Sequence, residues 1–210
     1  MGKTKLAIAL FYSAVCFVVI GGCGAAGSTT PTPPPPPIPF QGALNPSFET
    51  GMESWNATFA TRPEPGARSY VDIFTGTGFM PTNGVRYAYL ESSNGFDQHE
   101  ATIFQDNVDL TSSAILSFDY SFAGTAGAGG GTATLQVLFT SNGTETLWAK
   151  TIDATSALPI TIKGETIVLP TLPKSGRLTF KLVSLGGRTG ATITQTSSKV
   201  GIDNIATVRK

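Results

Sequence analysis

The sequence predicts an all-β domain: two antiparallel sheets packed face to face, a sandwich of jelly-roll type, behind an N-terminal signal helix and a disordered proline-rich linker. Three observations carry that class. Apolar and polar residues alternate with period two in short stretches, clusters of Gly, Pro, Asn and Ser separate those stretches, and no long amphipathic helical pattern follows Gln41. In 114–123, Leu116, Phe118, Tyr120 and Phe122 share one face while Ser117, Asp119 and Ser121 share the other. In 132–140 the apolar set is Ala133, Leu135, Val137 and Phe139, and in 177–185 it is Leu178, Phe180 and Leu182. Such alternation belongs to antiparallel sheets with one buried face. Further strands are expected over 54–60, 69–74, 85–91, 101–110, 145–152, 166–169 and 199–208. Ten strands in one domain require two stacked sheets.

Residues 1–22 read as an export signal. Lys3 and Lys5 precede an uncharged run from Leu6 to Ile20. Ile20-Gly21-Gly22-Cys23 resembles the bacterial lipobox, which implies diacylation of Cys23 before cleavage and a membrane anchored through lipid. An uncleaved membrane helix is the alternative, weakened by Gly21, Gly22 and Gly24. Gly24 follows the cysteine where an inner-membrane retention signal has Asp, so the outer membrane is favoured if the cell has two. Residues 23–40 are a tether: seven of the fourteen prolines lie between Pro31 and Pro39, preset to polyproline II. Residues 41–210 then hold no cysteine and must fold on their core alone.

Composition excludes several functions. Fourteen Lys and Arg balance fourteen Asp and Glu, so no basic excess exists for nucleic acid. One histidine and two cysteines cannot build a Cys/His zinc site. The run Gly124 to Gly131 completes no phosphate-binding motif. Residues 45–120 hold ten acids and three bases, residues 121–210 four acids and nine bases. Pairing across the sandwich is the expected consequence.

Three motifs resemble exported bacterial jelly-roll modules of the carbohydrate-binding, galactose-binding-like type. They are Asn45-Pro46-Ser47-Phe48-Glu49-Thr50-Gly51 with Trp55; Pro81-Thr82-Asn83-Gly84 with Tyr87-Ala88-Tyr89-Leu90 and Leu116-Ser117-Phe118-Asp119-Tyr120; and Val200-Gly201-Ile202-Asp203-Asn204-Ile205. The resemblance implies a glycan-binding domain in a surface context. It also implies a structural calcium ion between Glu49 and Asp203, because carboxylates and loop carbonyls suit that ion. Carboxylates capping backbone N–H groups are the equal alternative.

Sugar sites need exposed rings beside polar groups. If Asn142-Gly143 is a type I′ turn, Trp148 opposes Val137 and faces the core, as Trp55 does in the motif. Tyr70, Tyr87 and Tyr89 remain as stacking candidates. Tyr87 and Tyr89 share a face, so both are core or both line a groove. Ser117, Asp119, Thr179 and Lys181 are expected to supply hydrogen bonds.

Catalysis finds little support. No GxSxG elbow occurs, and His99 is the single histidine. Jelly-roll polysaccharide lyases use Gln and His separated by one residue; here Gln98 and His99 are adjacent and would point oppositely. His99 reads as a solvated loop residue. The chain thus reads as a cell-surface lipoprotein with a non-catalytic domain for extracellular glycan. A structural or adhesive envelope protein is the alternative, and a polysaccharide lyase a distant third.

Overall fold

The period-two stretches become strands in the computed structural model of the protein. It describes residues 42–60, 68–75, 79–95, 99–126, 131–152, 160–172, 175–189, 192–194 and 196–209. The strands are β1 (Asn56–Ala60), β2 (Arg68–Phe74), β3 (Tyr87–Gly95), β4 (His99–Val108), β5 (Ser113–Ala126) and β6 (Gly131–Thr140). They continue as β7 (Thr144–Ile152), β8 (Ile160–Val168), β9 (Gly176–Thr189), β10 (Thr192–Thr194) and β11 (Thr196–Arg209). Signal, Cys23 and tether lie outside the described residues. Among those described, no helix is long and apolar enough to cross a membrane.

One sheet has the order β1-β4-β9-β6-β7, with β10 on β9, and the other β2-β3-β11-β5-β8. Every pairing is antiparallel. The chain passes repeatedly from one sheet to the other, the path of a jelly roll. The predicted fold class is the observed one.

Alternation decides which side chains meet. Leu116, Phe118, Tyr120 and Phe122 of β5 face Leu178, Phe180 and Leu182 of β9 across a buried core. An aromatic line crosses it: Phe48 to Trp55 at 5.2 Å between ring centroids, Trp55 to Phe180 at 6.3 Å, Phe180 to Phe118 at 5.2 Å and Phe118 to Trp148 at 5.4 Å. Both tryptophans are therefore packing residues. Phe48 reaches this line with φ +57°, a strained value for a bulky residue that its fully buried ring stabilises. Two ion pairs, Arg177–Asp106 and Lys181–Glu100, join an acid of the first half to a base of the second, but between the neighbouring strands β4 and β9 of one sheet and not across the sandwich.

Two local expectations change. Neither Asn142 nor Gly143 has positive φ, so the β6–β7 turn is not type I′. Thr140 pairs with Thr144, and a bulge at Leu147 then restores the pairing of Val137 with Trp148. His99 is not a solvated loop residue. It lies on β4 opposite Ser184, 0% exposed, because the strand begins two residues earlier than its apolar pattern and points this ring inward.

Candidate functional site

The three motifs meet at one end of the sandwich. Ile205 N–H donates to Pro46 O at 3.0 Å, and Asn83 Nδ2 to Ser47 Oγ at 2.9 Å. Asp203 Oδ2 accepts from Thr82 N (2.7 Å), Asn83 N (2.8 Å) and Thr82 Oγ1 (3.2 Å), while its Oδ1 accepts from Asn204 N (2.7 Å). Glu49 Oε1 accepts from Val85 N (3.0 Å) and Arg86 N (2.9 Å). Gly84, at φ +69°, leaves the room this carboxylate occupies; a Cβ there would collide with it.

Glu49 and Asp203 therefore cap one loop, residues 82–86, as the capping alternative expects, and the donors gathered on Asp203 Oδ2 stand against a shared calcium ion there. A carboxylate offers about two lone-pair sites on each oxygen; three donors crowd Asp203 Oδ2 and one takes Oδ1. Each donor also directs positive charge at the oxygen a cation would need. No group of three or more His, Cys, Asp or Glu side chains placed to hold a metal occurs among the described residues. Chelator treatment should leave the melting temperature unchanged. Stabilisation by added calcium would show that the carboxylates release the loop.

The loop so capped closes over the outer face of the β2-β3-β11-β5-β8 sheet. Phe79 packs there on Tyr87 and Tyr89, with Tyr70 and Phe74 beside them. Tyr87 is 1% and Tyr89 6% exposed, which corrects their candidacy: they are core, of a second small cluster, and offer no ring face to a sugar. Burial raises the Tyr87 hydroxyl above the usual phenol range, against a backbone hydrogen bond at Phe79 that lowers it. Tyr89 Oη donates to Glu91 Oε2 at 2.9 Å, and Tyr70 Oη to Asp72 Oδ2. Tyr70 alone of the three keeps a partly exposed ring. Gly201 makes this packing possible: a Cβ there would stand 3.0 Å from the Tyr87 ring and 3.1 Å from Phe79. The hollow beside Tyr87, Asp119 and Asp203 measures about 10 Å³, room for one water and no sugar.

The opposite surface is polar and partly exposed, with Thr179 buried within it. On the outer face of the β1-β4-β9-β6-β7 sheet, register aligns Thr58, Thr102, Lys181, Gln136 and Ala149 in one cross-strand row. The next row is Asn56, Phe104, Thr179, Leu138 and Thr146. Thr179 and Lys181, expected as hydrogen-bonding residues, lie here; Ser117 and Asp119 lie on the other sheet's outer face. The Arg177 guanidinium sits 3.9 Å above the Phe104 ring and grips Asp106 with Nε at 2.7 Å and Nη2 at 3.2 Å. Lys181 Nζ lies 2.8 Å from Glu100 Oε1.

At the end of these rows a depression of about 320 Å³ opens, lined by Leu44, Ser54, Asn56, Asp106 and Asn107 among others. That volume is at the lower end of small-molecule sites. Its floor is rigid. Gln105 is buried and holds Leu44 at both ends, accepting from Leu44 N at 2.7 Å and donating to Leu44 O at 2.9 Å. It also donates to Ser54 O at 3.2 Å. Two amides, a hydroxyl, a carboxylate and one apolar side chain suit a hydroxyl-rich ligand. Another depression, about 280 Å³, lies along the β6–β7 hairpin with Phe139, Asn142 and Glu145 in its wall. It draws on a single hairpin and fewer polar groups. Sequence reasoning missed Asn56, Asp106 and Asn107, whose only signal was polarity at strand ends. The lyase reading loses its histidine, since His99 faces the interior.

No family model and no curated protein matches the sequence. Solved structures do. The chain is similar to CBM28, a carbohydrate-binding module specific for non-crystalline cellulose, at 12% identity and TM-score 0.51 over 81% of this chain and 96% of that one. A CBM61 module in complex with β-1,4-galactotriose aligns at 16% identity and TM-score 0.42, over 81% and 99%. The N-terminal cellulose-binding domain of Cellulomonas fimi β-1,4-glucanase C aligns at 16% and 0.43, over 75% and 90%. The first of these likenesses shows the fold, the all-β jelly-roll sandwich of carbohydrate-binding modules.

Proposed function

We propose that the domain is a non-catalytic glycan-binding module, with its site in the depression at Asn56, Asp106 and Asn107 and along the adjoining threonine-rich face. The observation that carries this reading is the depression itself: among the described hollows it combines a suitable volume with polar groups from separate elements. The similarity to a cellulose-specific module supports it at the level of fold. With Phe104 covered by Arg177, recognition rests on hydrogen bonds to sugar hydroxyls more than on ring stacking. Electrophoresis of the full-length protein in gels containing single polysaccharides tests the idea. At least one polysaccharide should retard it, and Asn56→Ala should weaken retention about five- to tenfold, the effect of one lost hydrogen bond near 1 kcal/mol. Retention by no polysaccharide would overturn the reading.

We also propose that the module is displayed on a bacterial surface, lipidated at Cys23 and held off the membrane by the proline-rich tether. The apolar run before Ile20-Gly21-Gly22-Cys23 supports this. Cys23→Ser should abolish incorporation of labelled fatty acid and release the protein from membranes; retention without label would refute lipid anchoring.

A further inference from the structure

We propose that the threonine-rich face selects uncharged glycan, and that Glu100 and Asp106 impose the selection by cancelling Lys181 and Arg177. The inference rests on the glycan reading above and adds a substrate class to it. Arg177, Thr179 and Lys181 alternate along β9, so both cations project from the same outer face. A sheet face with two cations beside a polar depression is by itself an anion site, suited to uronate or sulfate groups. Here each cation is already held. Arg177 is fixed on three sides, by two contacts to Asp106 and by the Phe104 ring beneath it. Lys181 is bound by Glu100 at 2.8 Å, and both side chains of that pair are about three-quarters covered.

An acidic sugar arriving here must displace a carboxylate from its partner and then lie beside it. That exchange gains one ion pair, loses another and adds a like-charge contact. A neutral sugar meets none of this. It finds the hydroxyls of Thr58, Thr102 and Thr134, the amides of Asn56 and Gln136, and a rigid floor. The cations then serve to hold the face flat and hydrated, not to attract charge.

Replacing the carboxylates by their amides keeps shape and releases the cations. The double variant Glu100→Gln/Asp106→Asn should therefore gain retention on polygalacturonate by about tenfold, the factor given by about 1.4 kcal/mol of charge contact. About 0.5 M salt should abolish the gain. The full-length protein and the variant are run in gels containing neutral polysaccharide or polygalacturonate. Circular dichroism confirms folding, and Glu100→Gln alone stands in if the double variant fails to fold. The expected result is wild-type retention by neutral polymer only, with polygalacturonate retention appearing in the variant. Wild-type retention by polygalacturonate would overturn the selection while leaving the glycan reading intact. So would a folded variant that gains nothing while the wild type binds neutral polymer. Failure of the wild type on both polymers, with gain in the variant, would overturn the glycan reading and sustain the charge cancellation. Failure of both proteins on both polymers would overturn both.

Discussion

Phe180→Ala should destabilise the domain more than any other single truncation, by about 3–5 kcal/mol. For a domain of this size that lowers the melting temperature by about 6–20 °C. Phe180 is fully buried and sits at the crossing of the aromatic line, touching Trp55 on one side and Phe118 on the other. Those partners belong to the opening segment and to β5 of the facing sheet, so the void left by alanine faces two separate elements that cannot both collapse into it. Each ring pair adds about 0.5–1.5 kcal/mol beyond the area it buries. Phe180→Leu keeps most of the volume and should recover more than half of the loss. Equal damage from leucine and alanine, read by urea unfolding with unchanged slope, would show that volume is not what the site needs. No disulfide is available in residues 41–210 to mask the effect.

Why this core was legible and the candidate site was not follows from what a sequence encodes locally. Phe118, Tyr120 and Phe122 alternate with Ser117, Asp119 and Ser121, and that alternation is a direct image of a strand with one apolar and one polar face, although Asp119 and Ser121 are themselves covered. Ten of the eleven described strands overlap an expected stretch, and β5, β6 and β9 show this alternation plainly. The exceptions are instructive. β10 has three residues, too few to show a period. The first half of β8 escapes because it is an edge strand wet on both faces, with Gly164 at φ +66° breaking its middle. The inward position of His99 is hidden in the sequence by its polar neighbours, Gln98 and Glu100, and only the register with Ser184 reveals it. The depression depends on register more completely still. Asn56 and Asp106 come together only once β1 is set against β4, and nothing local fixes that alignment. The motifs that resemble carbohydrate-binding modules are informative about fold for a physical reason: Glu49, Asn83 and Asp203 tie the domain's opening, a loop and the last strand together. They hold the scaffold and form no part of the proposed ligand surface.

That tie is where the second large effect is expected. Asp203→Ala should cost about 2–4 kcal/mol, because it deletes the acceptor for three backbone N–H groups, two of them in the 82–86 loop, and leaves them without it. Asp203 is 3% exposed, and burial raises its carboxyl above the usual carboxylate range despite the opposing bonds from Asn83, Thr82 and Asn204. The folded protein therefore holds this proton more tightly than the unfolded chain does. The stabilisation from that preference is complete below the unfolded value and is lost as pH rises through the folded one. At neutral pH the group is useful as an acceptor but costly as a charge. Asp203→Asn separates the two roles: it keeps one oxygen toward Thr82 and Asn83 and removes the charge. It should cost less than half of what alanine costs at neutral pH. As pH falls toward about 4, wild type should gain stability relative to the asparagine variant, since only wild type can take up the proton. Urea unfolding at both pH values reads this directly. A gap that moved in favour of asparagine on acidification would mean that the hydrogen bonds to Asp203, not its burial, dominate the energetics of the loop.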